Sequence, residues 1–356
     1  MGSCMITVLI VEDSPVARDF LQHILSADPD IQVIGTAHDG EAAIDAVQRR
    51  KPDVITMDIY MPKMNGLEAT RKIMQTHPTP IVIVSSSVHP DEVATTFRAI
   101  EAGALAVMPR PHGIGHPEHE AAAQELVQTV KLMSEVKVVR RWPRLRSEAS
   151  GPSPPKGNIP RAPIDIQIVA IGASTGGPLA LRTILSGLPN DFPVPVLIVQ
   201  HMACGFVQGF SEWLAQSSGF PVHVAADGEY LLPGHAYVAP DSFHMKVGMG
   251  HRVALSQEAP ENGLRPSVSH LLQSVAHVYG HHAVGVLLTG MGKDGAEALK
   301  VLKDTGAITM AQDKDSAVVH GMPGEAIKLD AATYVLPPDK MAAMLTSLVQ
   351  KKGTAL

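Results

Sequence analysis

Cysteine is nearly absent from this chain of 356 residues, which contains only Cys4 and Cys204. Two cysteines are too few for a disulfide framework and fit a reducing compartment, so we expect a cytoplasmic protein. Apolar runs long enough to span a bilayer are also absent, which predicts no insertion into a membrane. The first residues predict a strand rather than the basic and apolar segments of a secretory signal.

Aromatic and charged residues are both sparse, at 4% and 18%, and the net charge is -6. A negative balance argues against wholesale binding of nucleic acid. Apolar residues make up 45% of the sequence, so the chain can bury real cores and is not a disordered protein. Its length is enough for two ordinary domains.

A basic, proline-rich stretch separates two regions of regular apolar pattern. We predict a first domain at residues 1–134, a linker at 135–163 and a second domain at 164–356. Four arginines surround Trp142 in the linker and five prolines follow, which is typical of an extended, moderately stiff segment. No helix-turn-helix pattern follows the basic run, so we predict no specific nucleic-acid binding.

Apolar runs alternate with amphipathic stretches throughout the first domain. The runs predict five strands, at Ile6–Val11, Gln32–Gly35, Val54–Met57, Ile81–Val84 and Leu105–Met108. Ser14 and Pro15 mark the start of the first helix, in which Val16, Phe20 and Ile24 recur on one face. Strands that alternate with helices indicate a parallel sheet covered on both faces.

Polar side chains follow four of these strands. Glu12 and Asp13 follow the first strand, Asp58 the third, Ser85 the fourth and Arg110 the fifth. The carboxyl ends of parallel strands share one edge of the sheet, and three carboxylates there favour a Mg²⁺ ion. A carboxylate beside Mg²⁺ can attack a phosphoryl group, whose oxygens a serine and a cation could then bind. Helix capping is the weaker alternative, because it accounts for one acid but not three.

Three histidines, His112, His116 and His119, lie close together in a Gly/Pro-rich stretch. Imidazoles suit zinc or nickel, so a transition-metal site is one interpretation. A solvated loop that leads into a helix is the other, and we favour it because no cysteine or ordered ligand spacing supports a closed site.

The second domain begins with a buried strand that runs into a glycine-rich turn. The pattern Gly172-x-Ser174-x-Gly176 follows four apolar residues, and a helical pattern starts at Pro178. A serine at a sharp turn from strand to helix is exposed at the edge of the sheet, as in a nucleophile elbow. The alternative is a Ser/Gly turn that only caps the helix.

Two later strands of this domain also end at reactive side chains. Val196–Gln200 runs into His201, and Val284–Leu288 leads through a glycine-rich segment to Asp294. Their shared position beyond parallel strands is the main argument for a triad of Ser174, His201 and Asp294. Histidine can take the serine proton and return it to a leaving group, and aspartate orients the ring. An N-cap for the next helix is the alternative role for Asp294.

Backbone N–H groups near the serine are candidates for an oxyanion hole. Those of Thr175, Gly176 and Gly177 lie at the start of a helix and face the same point as the serine, where they could bind the oxyanion. The chain order Ser, His, Asp differs from the order Ser, Asp, His of α/β-hydrolases, so we expect a different fold.

The remainder of the second domain contains two further recognisable patterns. His244–Val247 and Arg252–Leu255 flank a Gly-Met-Gly turn and predict an antiparallel hairpin. A closing helix is predicted at 338–349, with four inward side chains, Met341, Met344, Leu345 and Leu348.

The first domain resembles the response-regulator receiver domain of two-component signalling. The motifs that carry the likeness are Val8-Leu9-Ile10-Val11-Glu12-Asp13-Ser14, Asp58-Ile59-Tyr60-Met61-Pro62-Lys63-Met64-Asn65-Gly66 and Ile83-Val84-Ser85-Ser86. The resemblance implies that Asp58 accepts the phosphoryl group, that Glu12 and Asp13 hold Mg²⁺ with it, and that a histidine kinase is the phosphodonor. Arg110 stands where the family usually carries lysine, and it keeps the charge but not the compact ammonium.

The second domain resembles the catalytic domain of the chemotaxis protein-glutamate methylesterases. The motifs are Ala170-Ile171-Gly172-Ala173-Ser174-Thr175-Gly176-Gly177, Gln200-His201-Met202, Arg265-Pro266-Ser267-Val268, Leu288-Thr289-Gly290-Met291-Gly292-Lys293-Asp294-Gly295-Ala296 and Gly321-Met322-Pro323. The likeness implies Ser174 as nucleophile, His201 as general base and Asp294 as orienting acid. It also implies hydrolysis of γ-glutamyl methyl esters on chemoreceptor helices, deamidation of glutamines by some members, and no cofactor at the ester site.

We therefore expect two α/β domains with doubly wound parallel sheets, a flavodoxin-like receiver and a Rossmann-like methylesterase domain with a β-hairpin insertion. The family likeness further implies that the unmodified receiver covers the serine cleft and that phosphorylation favours an open arrangement. Two other functions stay open at this point. One is a phospho-dependent receptor-binding module without catalysis, and the other is a serine hydrolase of a different ester or amide.

Overall fold

Five parallel strands form the sheet of the first unit. The computed structural model describes residues 5–85, 90–136, 138 and 165–349. The strands are β1 (Ile6–Val11), β2 (Ile31–Ala37), β3 (Val54–Met57), β4 (Ile81–Ser85) and β5 (Ala106–Pro109). They lie in the order β2-β1-β3-β4-β5, which is the flavodoxin-like order. The helices are α1 (Pro15–Ser26), α2 (Gly40–Arg50), α3 (Gly66–Thr76), α4 (Pro90–Ala102) and α5 (His119–Ser134).

The first helix shows how local sequence sets this architecture and where a pattern misleads. The Ser14 hydroxyl caps α1 by accepting from the N–H of Ala17 at 3.4 Å, as predicted. The predicted apolar face is right for Ile24, which is buried, but wrong for Val16, which is 79% exposed. The buried residues of α1 are Ala17, Leu21, Ile24 and Leu25. A spacing of four residues drifts around a helix with 3.6 residues per turn, whereas the buried set follows the true period.

Seven parallel strands form the sheet of the second unit. They are β6 (Ile168–Ala173), β7 (Val196–Gln200), β8 (Val222–Val224), β9 (Ala236–Val238), β12 (Ala283–Leu287), β13 (Ile308–Gln312) and β14 (Tyr334–Leu336). Their order is β14-β13-β12-β6-β7-β9-β8. The chain leaves central β6 toward β7 on one side and later returns to β12 on the other side. The sheet order therefore reverses between β6 and β12, which is where ligands bind in such sheets.

Helices and one hairpin complete the second unit. The helices are α6 (Gly177–Ser186), α7 (Val207–Ser218), α8 (Val268–Tyr279), α9 (Ala296–Asp304), α10 (Met322–Lys328) and α11 (Pro338–Val349). The antiparallel pair β10 (His244–Gly248) and β11 (Arg252–Ser256) forms a separate two-stranded sheet. It packs on α8, where the N–H of Val247 donates to the Ser274 hydroxyl at 3.0 Å. Among the four side chains predicted inward on α11, Leu348 is only half-buried.

The predicted fold class, two parallel α/β sheets and a small hairpin, is confirmed. By contacts, the chain divides into two units, Met1–Ala149 and Ser150–Leu356. Nearly all of the predicted linker, and the Ser86 that follows β4, lie outside the described residues. Among the helices that are described, none has both the length and the apolar character needed to cross a bilayer.

Candidate active site and phosphorylation site

Ser174 lies directly beyond β6, in the turn that leads into α6. Its N–H donates to the carbonyl of Thr289 at 3.0 Å, and its own carbonyl accepts from the N–H of Gly177 at 2.8 Å. Gly176 has a φ of +80°, and a Cβ there would lie 2.6 Å from Val318. Gly176 is the N-cap of α6, and no side chain caps the helix there. The serine hydroxyl therefore does not cap α6, which removes the capping alternative.

The three candidate residues of the triad follow three neighbouring strands. β6 lies between β12 and β7, so Ser174, His201 and Asp294 all lie beyond carboxyl ends at the centre of the sheet. The N–H of His201 continues the ladder by donating to the carbonyl of Ala173 at 2.9 Å. Within the described part of the chain, Ser174 is held through its backbone and its hydroxyl makes no hydrogen bond. Hydrogen bonds of catalytic groups often form only with substrate bound.

His201 and Asp294 are in direct contact. The Nε2 atom of His201 lies 3.0 Å from Oδ2 of Asp294, and the two side chains are 10% and 2% exposed. Since Nε2 is occupied by the carboxylate, Nδ1 is the ring nitrogen left to act as a base. An acid that occupies one ring nitrogen fixes the tautomer and leaves the other nitrogen as an acceptor.

The Asp294 carboxylate is surrounded by donors at the start of α8. Oδ1 accepts from the Ser267 hydroxyl at 2.9 Å and from the N–H and hydroxyl of Ser269 at 3.1 and 2.6 Å. Oδ2 accepts from the N–H of Val268 at 2.7 Å. Burial by itself would raise the pKa of Asp294. The hydrogen bonds and charge of His201, with those of Ser269 and Val268, hold that pKa well below its usual value.

This arrangement also decides the alternative role of Asp294. The N-cap of α9 is Gly295, which has no side-chain cap hydrogen bond. The carboxylate instead accepts from N–H groups at the start of another helix, α8. The interpretation of Asp294 as the N-cap of α9 is therefore wrong. Sequence analysis did not identify Ser269, which lies 25 residues away from Asp294. The one available signal is Ser267, which caps α8 by accepting from the N–H of Ser269 at 3.1 Å.

Two glycines lie against Ser174, one beside its side chain and one hydrogen-bonded to its backbone. A Cβ at Gly290 would lie 2.6 Å from Cβ of Ser174 and would also collide with the sulfur of Met322. The N–H of Gly177 already donates to the Ser174 carbonyl. Gly177 is therefore committed within the turn, and the N–H groups of Thr175 and Gly176 are the remaining candidates for an oxyanion hole.

The three acids of the first unit meet at the edge of its sheet. One ligand atom from each of Glu12, Asp13 and Asp58 lies within 4.8 Å of the others. Glu12 and Asp58 are only 1% and 5% exposed, and burial raises their pKa values to about 7 and about 6. Three carboxylate groups so close together destabilise one another's charged forms, and a divalent cation removes that cost. The donor set fits Mg²⁺.

Arg110 and the loop beyond Asp58 complete this edge. The guanidinium of Arg110 forms an ion pair with Glu12 at 3.1 Å. The backbone N–H of Arg110 donates to the carbonyl of Ser85 at 2.8 Å. Oδ1 of Asp58 accepts from the N–H of Ile59 at 2.8 Å. A side chain at Gly66 would collide with the carbonyl oxygen of Asp58, so the loop requires glycine there. Arg110, although it replaces the usual lysine, thus places its positive charge at the acidic cluster.

The histidine-rich loop brings two of its three imidazoles together. The rings of His112 and His116 stack with centroids 4.1 Å apart, and Glu118 lies 3.6 Å from His112. Ligand atoms of these three exposed residues lie within 4.8 Å of one another. Nδ1 of His116 accepts from the N–H of Glu118 at 3.2 Å, and His119 contacts the carbonyl of His112 instead. An acceptor role for Nδ1 puts the ring proton on Nε2, which does not favour a metal ligand.

Comparison with known proteins accounts for both units. A family model described as CheB methylesterase matches residues 169–345, and one described as response regulator receiver domain matches residues 8–116. A protein-glutamate methylesterase/protein-glutamine glutaminase of Nitrosospira multiformis is 62% identical over 354 residues, which are 98% of this chain and 98% of the relative. The chain belongs to the CheB methylesterase family.

Two further relatives extend the likeness. A protein-glutamate methylesterase/protein-glutamine glutaminase of Geobacter metallireducens is 60% identical over 349 residues, which are 98% of this chain and all of the relative. The crystal structure of the Thermotoga maritima CheB methylesterase catalytic domain is 40% identical with a TM-score of 0.50. The match covers 52% of this chain and 99% of that domain. The chain thus contains the family's two parts in one polypeptide.

Proposed function

We propose that this chain hydrolyses γ-glutamyl methyl esters of chemoreceptors with Ser174, His201 and Asp294 as its catalytic residues. The observation that carries the proposal is the contact of 3.0 Å between His201 and Asp294, beside the turn that presents Ser174. Residues 164–356 would form the catalytic domain, residues 135–163 the linker and residues 1–134 the receiver. The relatives' names also include a glutaminase, and we extend the proposal to deamidation at the same site.

The geometry supports a two-stage acyl transfer. Nδ1 of His201 takes the proton of Ser174 as Oγ attacks the ester carbonyl carbon. The tetrahedral intermediate then collapses and methoxide leaves with that proton as methanol, so the glutamyl group remains as an ester of Ser174. Water attacks this ester while His201 accepts a water proton. The serine oxygen departs, takes the proton back and releases the glutamate side chain. With glutamine as substrate, ammonia replaces methanol as the leaving group.

Asp294 and the start of α6 supply the electrostatics. The carboxylate stays ionised beside His201 and stabilises the imidazolium that forms when the ring takes a proton. The N–H groups of Thr175 and Gly176, at the positive end of α6, would donate to the oxyanion. No metal or organic cofactor is assigned to this site.

Phosphorylation of Asp58 by a histidine kinase would control the esterase. Glu12, Asp13 and Asp58 would hold Mg²⁺, which supplies charge neutralisation for the incoming phosphoryl group. The carboxylate of Asp58 attacks phosphorus and becomes an aspartyl phosphate as the bond from phosphorus to the kinase histidine breaks. Ser85 and Arg110 would then bind the phosphoryl oxygens, and for this Arg110 must leave Glu12. The modified receiver would favour an open catalytic cleft.

Replacing Ser174 by alanine tests the assignment of the nucleophile. We expect the loss of all methanol release from methylated receptor membranes, because alanine has no hydroxyl to attack the ester. Labelling by a fluorophosphonate, which reacts only with an activated serine, should disappear as well. The matched control is Ser186→Ala, whose hydroxyl bonds only to its own helix.

The outcomes separate the candidate functions. Methanol release that persists in Ser174→Ala would overturn the assignment of the nucleophile. A wild-type protein that binds receptors but neither reacts with the fluorophosphonate nor releases methanol would be a non-catalytic binding module. A protein that is labelled but releases methanol from no methylated receptor would be a hydrolase of another ester or amide.

A further inference from the structure

Gln200, the last residue of β7, contacts the backbone of both the proposed nucleophile, Ser174, and the proposed base, His201. Its side-chain amide donates to the carbonyl of Ser174 at 2.9 Å and to the carbonyl of His201 at 2.8 Å. The residue is 5% exposed. A primary amide has two N–H donors, and this geometry uses both of them. One buried side chain therefore ties the backbone of Ser174 to the backbone of His201.

This contact lies where the strand ladder ends. Ala173 pairs with Gln200, and the last backbone bond between the two strands runs from His201 to Ala173. Beyond that bond the two segments diverge, one into the turn of α6 and the other into the loop that follows His201. The amide of Gln200 adds a side-chain link between them just beyond the last backbone hydrogen bond of β6 and β7. It holds the two segments together at the point where they diverge.

Ser174 is consequently fixed from both neighbouring strands. On the β12 side its N–H donates to the carbonyl of Thr289, whose hydroxyl also donates to the carbonyl of Thr175 at 2.9 Å. On the β7 side the Gln200 side chain reaches the carbonyl of Ser174. His201 directly follows β7, so the two hydrogen bonds of Gln200 link the backbone of the nucleophile to the backbone of its base.

The orientation of the Gln200 amide follows from its partners. Turning it over would place its oxygen against two carbonyl oxygens, which repel it. As it stands, Oε1 is buried and has no hydrogen-bond partner among the described residues. A Cβ at Gly177 would collide with this oxygen, so Oε1 lies against the start of α6, the positive end of the helix.

An unpaired buried acceptor is a cost to stability. Such a group loses its hydrogen bonds to water on folding without replacement, and each instance calls for a physical reason. An apolar side chain of the same volume would avoid that cost. It would lose the two N–H donors, and with them the link between the Ser174 turn and the His201 backbone.

We propose that Gln200 is a positioning residue that sets the separation of the Ser174 hydroxyl and the His201 ring through its two amide hydrogen bonds. The inference rests on the assignment of Ser174 and His201 proposed above. It predicts that the amide acts on turnover rather than on substrate affinity, because both of its hydrogen bonds go to the backbone of Ser174 and His201. Misplacement of reacting groups by about 1 Å can cost on the order of 100-fold in rate.

The test replaces Gln200 by methionine, which has nearly the same volume and no N–H donor, in the full-length chain. We expect a loss in kcat of roughly 10- to 100-fold and a change in KM below about threefold. The rate of fluorophosphonate labelling of Ser174 should fall by a similar factor, because it reports on the nucleophile without receptor binding. Gln200→Asn keeps the amide but is too short to reach both carbonyls, and we expect it to show the same loss.

Thr309→Val is the matched control for a general structural effect. Thr309 is a fully buried residue of β13 whose hydroxyl donates to the carbonyl of Ala331 at 2.6 Å, away from Ser174 and His201. Thermal unfolding is measured for all variants. Reaction rates are then measured well below each unfolding midpoint, so that every variant is folded. The control should lose stability and keep kcat within about twofold of wild type.

Each outcome bears on one claim. A kcat of Gln200→Met within about twofold of wild type would overturn the inference, as would an equal loss in Thr309→Val. A change confined to KM would overturn it too. Activity that persists in Ser174→Ala would instead remove the proposed function on which the inference depends. Loss in Ser174→Ala together with normal rates in both Gln200 variants would remove the inference alone.

Discussion

Asp58 in the first unit and Asp294 in the second are equally buried as whole residues, each 5% exposed. Their pKa values are nevertheless shifted in opposite directions. Burial raises the pKa of Asp58 to about 6, and the N–H of Ile59 only partly opposes it. Around Asp294 burial is outweighed by His201, Ser269 and Val268, and the pKa falls well below its usual value. Depth of burial therefore does not decide the charge of a carboxylate, whereas the donors around it do.

The difference fits what each carboxylate is proposed to do. Asp58 has to exchange partners, first a cation and then a phosphoryl group, and a carboxylate already satisfied by fixed donors would be a poor acceptor of either. Asp294 has to keep one position and one charge throughout the reaction, and both of its oxygens are held by fixed donors. Similar sheet edges thus support a reactive acid in one unit and a fixed acid in the other.

The largest expected effect comes from exchanging Asp294 for asparagine. The amide would turn an N–H group toward donors that surround the carboxylate, and it could no longer stabilise charged His201. We expect kcat to fall roughly 10³–10⁴-fold, the cost of the wrong tautomer in such a triad. Methanol release at saturating receptor measures it. Asp330→Asn, at an exposed ion pair with Lys303, is the control. A loss below tenfold would mean that Asp294 is mainly structural.

The triad shows how far the sequence alone could go. Apolar runs located the ends of the central strands, and the rule that reactive groups gather at carboxyl ends brought together Ser174, His201 and Asp294. That rule acts through topology, so it needed no side-chain geometry. The contact of His201 with Asp294, 93 residues apart in sequence, agrees with it. The same rule placed Glu12, Asp13 and Asp58 at one edge.

What escaped prediction depends on packing rather than on pattern. Three-residue strands such as β8, β9 and β14 are too short to show a period. The buried face of α1 was misjudged because Val16 is apolar but faces solvent. The donation from Ser269 to Asp294 depends on how α8 is directed at the sheet, and no local signal encodes that direction. Gln200 likewise reads only as the last residue of a strand.

Replacing Asp58 by asparagine attacks the other side of the comparison. The fold raises the pKa values of Asp58 and Glu12, so the folded receiver binds protons more tightly than the unfolded chain. Its stability therefore falls as pH rises from about 4 to about 7. Removing the Asp58 charge should stabilise the receiver at pH 7 without Mg²⁺ by on the order of 2 kcal/mol. The same variant should lose all stimulation of methanol release by a small-molecule phosphodonor.

Denaturant unfolding of the receiver unit at pH 5 and pH 7, with and without Mg²⁺, measures the effect on stability. Mg²⁺ should stabilise the wild type at pH 7 and act much less on Asp58→Asn. Asp39→Asn is the matched control, because this buried acid accepts from Ala42 at 2.8 Å and Lys63 at 2.7 Å. These donors lower the pKa of Asp39, so its replacement should destabilise. A change in unfolding free energy of the same sign in Asp58→Asn and Asp39→Asn would contradict this account. Equal phosphodonor stimulation of wild type and Asp58→Asn would contradict it as well.

The smallest expected effect sharpens the comparison by taking donors away from Asp294. In Ser269→Ala the carboxylate loses a hydroxyl donor at 2.6 Å and the N–H of Gly295 loses its acceptor at 3.0 Å. The pKa of Asp294 should rise toward its usual value while the group stays ionised at pH 7. We expect kcat to fall about tenfold, because one lost charged hydrogen bond is worth about 1.5–3 kcal/mol at most.

The pH dependence of stability gives this variant a second readout. The lowered pKa of Asp294 contributes stability that is present above about pH 4 and is lost as pH falls below it. The stability gap between wild type and Ser269→Ala should therefore narrow in acid. Ser274→Ala removes another hydroxyl of α8, which serves Val247 and not Asp294, and its gap should not depend on pH. Ser269→Thr keeps the hydroxyl and should restore kcat. A pH-independent gap for Ser269→Ala would mean that donors do not set the charge of Asp294, and the contrast with Asp58 would need another cause.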